Sequence, residues 1–286
     1  MNNYKIDDEF KILRPLRYKK YSQIRRIIFN IIFNMTMVFG RPRPGMSIKK
    51  YKILGYHQRK IKIYVLRHKK MKSNEKGLLY LHGGGFQIEG TAVHLRMISN
   101  MIYQTGHLAV YVKYGLAPKY PFPIGLEDCY LAYLWMLKNH EMLHLDPTHI
   151  SVAGDSAGGN LAVGVAMLAR DRLKQAFDKM LLFYPVVDHR QITPSMKAFD
   201  DTPMWNSILN KSMWEIYLKN GDSGMLCYTS LLLGDLKGLP KTYIETAEFD
   251  CLKDEGVWLA EKLKSLDIEV IENHTKGSVH GYDAVF

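Results

Sequence analysis

The sequence predicts an α/β fold with a central, mostly parallel sheet of eight strands flanked by helices. The first observation is an alternation of β-rich runs with helical patterns from about residue 50 onward, typical of sheets covered on both faces. The second is size, because 286 residues with 47% hydrophobic content suffice for one large domain with a substantial core. The third is a serine between Gly154 and Gly158, where a predicted strand meets a predicted helix.

The predicted strands and helices alternate in order along the chain. Eight β-rich runs form the strands: YKILGY, KIYVL, GLLYLH, LAVYVKY, HISVAG, MLLFYPVV, KTYIETA and IEVIEN. Helical patterns lie between strands at residues 91–104, 126–139, 157–175 and 254–265. Two regions stand outside the alternation, an N-terminal arm at 1–45 and an insertion at about 189–225 within the main domain of 46–286. We expect both to fold as a helical cap over the carboxyl edge of the strands.

An apolar run in the N-terminal arm extends from Ile27 to Phe39. It is shorter than the ~20 residues of a membrane-spanning helix and is interrupted by Asn30, Asn34 and Thr36. Acidic residues precede it and it shows no small-residue cleavage pattern, which argues against a signal peptide. Apolar residues at helical spacing instead predict an ordinary amphipathic helix, and these are Ile24, Ile27, Ile28, Ile31, Ile32, Met35 and Val38.

The chain is basic, with a formal net charge of +11, and much of the excess lies in the first seventy residues. A solvated basic surface is the favoured interpretation, and attraction to anionic lipid is the less favoured one. No nucleic-acid-binding motif is present, so we expect no nucleic-acid partner. The three cysteines, Cys129, Cys227 and Cys251, form neither a disulfide framework nor a zinc motif, which favours a reducing, cytoplasmic setting.

The stretch GDSAGGN places Ser156 at the sharp turn between a strand and a helix, a position that is usually strained. Such a turn crowds the residues two before and two after the serine, where Gly154 and Gly158 avoid side-chain clashes. The hydroxyl then stands clear of the sheet. The amide of Ala157 begins a helix, where developing negative charge is favoured.

A second glycine cluster, HGGGF, follows the predicted strand GLLYL at His82–Phe86. Three consecutive glycines supply a loop whose amides can approach a ligand closely. A tight turn without a functional role is the alternative interpretation. His82 precedes the amide-donating loop, so we expect it to fix the loop by a hydrogen bond and not to act as a base.

A serine hydroxyl needs a base, and the base needs a carboxylate that orients it. Asp250 ends a predicted strand and His280 follows the last one, so both fall at the same sheet edge as Ser156. The order Ser, Asp, His is the one expected for a nucleophile-elbow hydrolase. Competing candidates are Glu248 and Asp254 for the acid and His274 for the base.

These residues resemble the hormone-sensitive-lipase-like family of α/β-hydrolases, from about Lys76 to Tyr282. Six blocks match in order: LHGGGF, YGLAPKYPFP, LEDCYLAYLWM, SVAGDSAGGNLA, YIETAEFDCLKDEG and VHGY. The resemblance implies an α/β-hydrolase fold and a carboxylesterase that needs no metal or cofactor. It also implies the site residues: a triad of Ser156, Asp250 and His280, oxyanion amides from Gly84, Gly85 and Ala157, and supporting positions His82, Gly83, Gly154, Asp155 and Gly158.

The chain departs from the family pattern at three places. Gly115 and Lys119 replace the Arg and Glu of the usual YRLAPE block, so a charge pair that braces this loop should be missing. Cys251 stands where a proline commonly follows the triad acid, and we expect a buried thiol there. Only four residues follow Tyr282, so we expect the final helix of relatives to be missing or shortened and the exposed apolar strip to favour either self-association, such as a homodimer, or instability.

We therefore expect hydrolysis of small-molecule esters with small or short acyl groups through an acyl-enzyme. One alternative is a ligand-binding protein on the same fold that has lost turnover. Another is a membrane-surface lipase or deacetylase tethered by the basic, apolar N-terminal helix.

Overall fold

The computed structural model describes residues 4–18, 22–70 and 75–285. Its centre is a single eight-stranded sheet in the order β1-β2-β4-β3-β5-β6-β7-β8. Pairings of β2 with β1 and with β4 are antiparallel, and all others are parallel, which confirms the predicted sheet. The strands are β1 Met46–Leu54, β2 Lys60–His68, β3 Glu75–Leu81, β4 Leu108–Lys113, β5 Leu145–Asp155, β6 Met180–Phe183, β7 Thr242–Phe249 and β8 Val270–Val279.

Eight α-helices surround the sheet in the described part of the chain. They are α1 Gln23–Phe39, α2 Ala92–Thr105, α3 Ile124–Lys138, α4 His140–Leu143, α5 Ala157–Leu173, α6 Pro194–Ala198, α7 Ser207–Tyr217 and α8 Lys253–Lys264. The five helices expected from the sequence are all present. Both α6 and α7 lie in the predicted insertion, and α6 begins where Thr193 accepts a hydrogen bond from the amide of Met196.

The core is deepest around β5 and α5. Residues Ala157–Ala169 of α5 are all buried, and the central strands β3, β4 and β5 are apolar on both faces because helices cover them from both sides. The carboxyl ends of β3, β5, β7 and β8 meet at one edge of this sheet. Side chains that follow those strands are therefore brought together there.

The N-terminal arm and the insertion contact each other beside that edge. The amide of Met204 donates to the carbonyl of Leu16 at 2.7 Å, and the Asn206 side chain donates to the carbonyl of Tyr18 at 2.8 Å. The rings of Tyr217, on α7, and Phe86 stack with centroids 3.8 Å apart. The insertion is therefore anchored both to the arm and to the loop after β3.

The N-terminal helix forms as predicted, but its apolar stripe lies in solvent. Six of its residues are between 47% and 70% exposed: Ile24, Ile27, Ile28, Ile31, Ile32 and Met35. The side chain of Val38 lies outside the described residues. None of the helices that the structure describes is both long enough and apolar enough to cross a membrane.

The loop at residues 114–120 has a brace that the sequence did not predict. Asp128, on α3, is fully buried, accepts a hydrogen bond from the Gly115 amide at 2.8 Å and forms an ion pair with Arg59. The guanidinium of Arg59 also lies 3.8 Å from the centre of the Tyr120 ring. The ion pair of Arg59 and Asp128, two residues that lie outside this loop, thus takes the place of the charge pair that the loop itself lacks.

Candidate active site

Ser156 occupies the predicted turn between β5 and α5. Its backbone has φ 54° and ψ −119°, a conformation that a non-glycine residue adopts only when its surroundings hold it there. The Ser156 amide donates to the carbonyl of Phe183 at 2.8 Å, and the Ser156 carbonyl accepts from Val186 at 3.0 Å. These two bonds to the segment after β6 fix the strained turn in place.

The two glycines around the serine lie at positions where a side chain has no space. A Cβ at Gly154 would overlap the carbonyl of Gly158, and a Cβ at Gly158 would overlap the carbonyl of Leu81 at the end of β3. Helix α5 can therefore approach β3 only with a glycine at this position. This close approach brings the start of α5 next to the glycine loop after β3.

The glycine loop presents unpaired amides beside the serine. Gly84 and Gly85 have φ of 109° and 59°, and the Gly84 carbonyl accepts hydrogen bonds from the amides of Gln87 and Ile88. Within the described ranges, no group accepts a hydrogen bond from the amides of Gly84, Gly85 or Ala157. These three amides are free to bind an oxyanion.

Asp155, the residue before the serine, joins the glycine loop to the sheet. Its carboxylate accepts from the Tyr80 hydroxyl at 2.8 Å and from the Gly83 amide at 3.0 Å. It also lies 3.4 Å from Nε2 of His94 on α2. Burial acts to lower the pKa of His94, but the Asp155 carboxylate together with Asp283 and Thr91 raises it above its ordinary value. The contact of His94 with Asp155 thus ties helix α2 to the turn that precedes Ser156.

His82 is buried in the same loop and does not face the serine. Its Nδ1 lies 2.7 Å from the carbonyl of Gly83, and its own carbonyl accepts from the Tyr114 hydroxyl at 2.7 Å. Burial lowers the pKa of His82 to about 3, so its imidazole is neutral throughout the physiological range. Its hydrogen bonds join it to Gly83 and Tyr114.

Asp250, His280 and Ser156 form one continuous chain of hydrogen bonds. The carboxylate of Asp250, which follows β7, lies 2.7 Å from Nδ1 of His280. Nε2 of His280, which follows β8, lies 2.8 Å from Oγ of Ser156. All three side chains are buried, and the second carboxylate oxygen of Asp250 accepts the amide of Leu252. The arrangement can activate a serine hydroxyl for attack on a carbonyl carbon.

The side chains of the three competing candidates for the acid and the base make contacts away from the serine. Glu248 accepts a hydrogen bond from the amide of Gly277, and Asp254 accepts one from the amide of Ser195, the second residue of the short helix α6. His274 is largely exposed on β8 and contacts Thr246. None of the three contacts His280 or Ser156.

Cys251 follows the acid and is fully buried, as expected. Burial raises the pKa of its thiol well above the ordinary value, which keeps the sulfur protonated and unreactive.

Within the described residues, no group of three or more His, Cys, Asp or Glu side chains could hold a metal ion.

A cavity of about 340 Å³ opens over Ser156 and His280. Apolar side chains from the N-terminal arm with its helix α1, from α2 and from the insertion enclose it. Among them are Leu16, Phe29, Phe33, Met97, Met204 and Trp205. Trp205 also lies against the glycine loop, where a Cβ at Gly85 would meet its ring. The cavity thus places an apolar ligand beside the serine and the free amides.

The sequence did not predict the contribution of α1 to the loop after β3. The side chain of Asn30 donates to the carbonyl of Gln87 at 3.0 Å and accepts the amide of Glu89 at 2.7 Å. Arg26, one turn earlier, donates to the side chain of Gln87 at 3.2 Å. The signal in the sequence was the pair of asparagines in the apolar run, Asn30 and Asn34, which are four residues apart and share one helix face with Arg26.

Comparisons with known proteins agree with this geometry. The profile of a family described as alpha/beta hydrolase fold matches residues 78–284. A protein named carboxylesterase NlhH, from Mycobacterium tuberculosis, is 34% identical over 220 residues, which cover 74% of this chain and 68% of that protein. Among solved structures, a bacterial heroin esterase has a TM-score of 0.88 at 29% identity, covering 98% of this chain and 92% of its own. A thermostable esterase from Pseudomonas putida ECU1011 has a TM-score of 0.88 at 27% identity, covering 100% and 92% of the two chains.

Proposed function

This chain belongs to the α/β-hydrolase family of hormone-sensitive-lipase-like esterases, and on that premise we propose that it cleaves carboxylic esters by a Ser-His-Asp acyl-enzyme mechanism. The observation that carries the proposal is the unbroken hydrogen-bond chain from Asp250 through His280 to Ser156. The free amides of the glycine loop and of the α5 N-terminus supply the second requirement, a site for the oxyanion.

In the first half-reaction, His280 takes the proton of Ser156 as Oγ attacks the ester carbonyl. Asp250 holds the imidazole in the tautomer that accepts this proton and stabilises the imidazolium. The amides of Gly84, Gly85 and Ala157 bind the oxyanion, and one such donor contributes ~3 kcal/mol, roughly a hundredfold in rate. His280 then protonates the departing alcohol, and water, deprotonated by the same base, repeats the attack on the acyl-enzyme.

The N-terminal arm and the insertion act as the cap of this site in our proposal. Leu16 and Phe29 from the arm, with Met204 and Trp205 from the insertion, line the cavity over the serine. An enclosure of about 340 Å³ favours small esters with short acyl chains. A series of p-nitrophenyl esters from acetyl to dodecanoyl tests this, because we expect kcat/KM to be highest at the short end.

Ser156→Ala tests the mechanism directly. We expect turnover of p-nitrophenyl butyrate to fall by at least about 10⁴-fold, because Ser156 is the one nucleophile that faces His280 in the part of the chain that the structure describes. Ser265→Ala, at an exposed position that ends α8, is the matched control and should keep wild-type turnover. Wild-type turnover in the folded Ser156→Ala protein would disprove the assignment, and circular dichroism establishes that the variant is folded.

A further inference from the structure

The N-terminal helix α1 has an unusual division of its faces. Positions 24, 27, 28, 31, 32 and 35 fall on one side of an α-helix, and positions 26, 29, 30 and 33 fall on the opposite side. The first group consists of aliphatic side chains, and all of them are exposed. The second group contacts the protein, partly through the polar side chains of Arg26 and Asn30. On the surface of a water-soluble protein, a helix normally packs its aliphatic side chains against the core and exposes its polar side chains to solvent.

The chain around α1 carries a strong and one-sided charge. Residues 10–74 contain 19 of the 39 Lys and Arg residues and not a single Asp or Glu. The remaining residues therefore hold 20 basic against 28 acidic side chains, a formal charge of −8. The positive charge of the protein is thus concentrated in the segment that also carries the exposed isoleucines.

We propose that the outer face of α1 docks on the surface of an anionic lipid bilayer. An amphipathic helix with an aliphatic face and basic flanks lies in such an interface, with the aliphatic side chains among the acyl chains and the cations near the headgroups. The helix is too short and too polar on its inner face to span the bilayer. The charge also argues against a second copy of the chain as the occupant, since two such segments would repel each other.

A basic cleft of about 570 Å³ beside α1 gives the headgroups a place to bind. It lies between α1, β2 and the loop at residues 114–120, and its basic side chains are Arg26, Arg59, Lys60, Lys62, Lys113 and Lys119. Arg59 pairs with Asp128 and Lys113 with Glu89. Lys60 and Lys62 are exposed, which leaves their ammonium groups able to face lipid phosphates.

The inner face of the same helix is a wall of the catalytic cavity. Phe29 and Phe33 stack with ring centroids 5.7 Å apart and line the space over Ser156. A docked α1 therefore lies between the bilayer and the cavity. An ester dissolved in the lipid would then have to pass only one helix to reach the serine, a consequence that rests on the proposed function while the docking itself does not.

Vesicle flotation with the full chain tests the docking. Wild-type protein is mixed with vesicles of phosphatidylcholine alone or with about 30% phosphatidylglycerol, at about 0.1 M and about 0.5 M NaCl. We expect binding to the anionic vesicles at low salt, and markedly less to neutral vesicles or at high salt.

Two sets of substitutions separate the aliphatic face from other exposed apolar side chains. The triple variant Ile24→Gln, Ile28→Gln and Ile31→Gln should bind anionic vesicles at least about a hundredfold more weakly, because three aliphatic side chains no longer enter the lipid. The matched control carries the same change at three exposed apolar positions on other elements, Met142→Gln, Leu173→Gln and Ile271→Gln, and should bind like the wild type.

The basic cleft has its own pair of variants. Lys60→Gln with Lys62→Gln should weaken binding about fivefold for each charge removed. Lys237→Gln with Lys241→Gln, exposed lysines outside the basic segment, should leave it unchanged. Hydrolysis of a water-soluble ester, p-nitrophenyl acetate, should stay at the wild-type rate in all four variants, so failure of docking is distinguishable from failure of the catalytic proposal.

Three results would overturn the docking proposal. One is wild-type protein that does not float with anionic vesicles, or that floats equally with neutral ones. A second is an α1 triple variant that binds as well as the control. The third is light scattering that shows a wild-type dimer which the α1 substitutions split, because the occupant of the face would then be a second copy.

Discussion

Two helices of equal length position the candidate active site, and they are held in place by opposite chemistry: α1 lines the cavity over Ser156, and α5 begins directly after that serine. Both α1 and α5 have 17 residues. The first thirteen residues of α5 are all buried and mostly small or aliphatic, and their close packing places Ser156. Helix α1 instead holds the body partly with polar side chains and leaves its aliphatic side chains in water. The site thus has one side fixed by close packing and one side held by a few hydrogen bonds.

This difference indicates where the site tolerates change. On the α5 side, backbone atoms of neighbouring elements approach so closely that an added methyl group has no space. On the α1 side, the outer positions are largely exposed, and the inner ones make individual hydrogen bonds that can be removed singly. Substitutions should therefore act on folding at α5 and on the geometry of the glycine loop at α1.

The largest expected effect comes from Gly158→Ala, the smallest possible addition to α5. Its Cβ would overlap the carbonyl of Leu81, so β3 and α5 must separate, and we expect a loss of at least about 3 kcal/mol in the free energy of unfolding. Ile28→Ala, a larger change on the outer face of α1, should alter that free energy by less than about 0.5 kcal/mol. Denaturant unfolding measures both, and similar losses in the two variants would remove the distinction between the helices.

The second prediction concerns a buried carboxyl group in the body of the domain. Glu255 accepts hydrogen bonds from the amides of Val187 and Asp188, and burial raises its pKa to about 8. The folded state therefore holds this proton more tightly than the unfolded state does. Stability should fall as pH rises from the ordinary pKa of a glutamate to about 8, by an amount on the order of 5 kcal/mol, and then level off.

Glu255→Gln cannot ionise and should lose this part of the pH dependence. Glu261→Gln, an exposed position on the same helix α8, should keep the wild-type slope. Unfolding in denaturant at pH 5, 7 and 8.5 provides the comparison. If the stability of the wild type instead rises over this pH range relative to that of Glu255→Gln, the predicted direction of the pH dependence is wrong.

The smallest expected effect is at the contact of α1 with the oxyanion loop. Asn30→Ala removes both hydrogen bonds to the segment of Gln87 and Glu89, which follows the amides of Gly84 and Gly85. We expect kcat for p-nitrophenyl butyrate to fall about tenfold with little change in KM, because the oxyanion donors are less well placed. The free energy of unfolding should change by only about 1 kcal/mol.

Asn34→Ala is the matched control for this test. Asn34 lies one turn further along α1 and accepts a hydrogen bond from Lys113, away from the glycine loop. Its removal should leave kcat unchanged. If Asn30→Ala and Asn34→Ala have equal kcat values, the contact of α1 with the loop has no part in positioning the amides.

The sequence predicts the α5 side of the site well and the α1 side poorly, for a physical reason. Around Ser156 the requirements are local, since glycines at fixed spacing and strand ends at Asp250 and His280 are visible in short stretches. At α1 the periodicity of the sequence predicts a helix with an apolar stripe, but it does not predict whether that stripe faces the protein or the solvent. The brace of Arg59 and Asp128 escapes prediction similarly, because it joins residues 69 positions apart.

The position of His280, the proposed base, in the sheet has a consequence for how activity is lost. Ser156 follows β5, which has a neighbouring strand on each side, whereas His280 follows β8, an edge strand that pairs with β7 alone among the described strands. Local opening of a domain begins where an element has the fewest partners. Separation of β8 alone would remove the proposed base while the proposed nucleophile and the rest of the sheet stay in place. Catalytic turnover in mild denaturant should therefore report the fraying of one edge strand, before any probe of global unfolding responds.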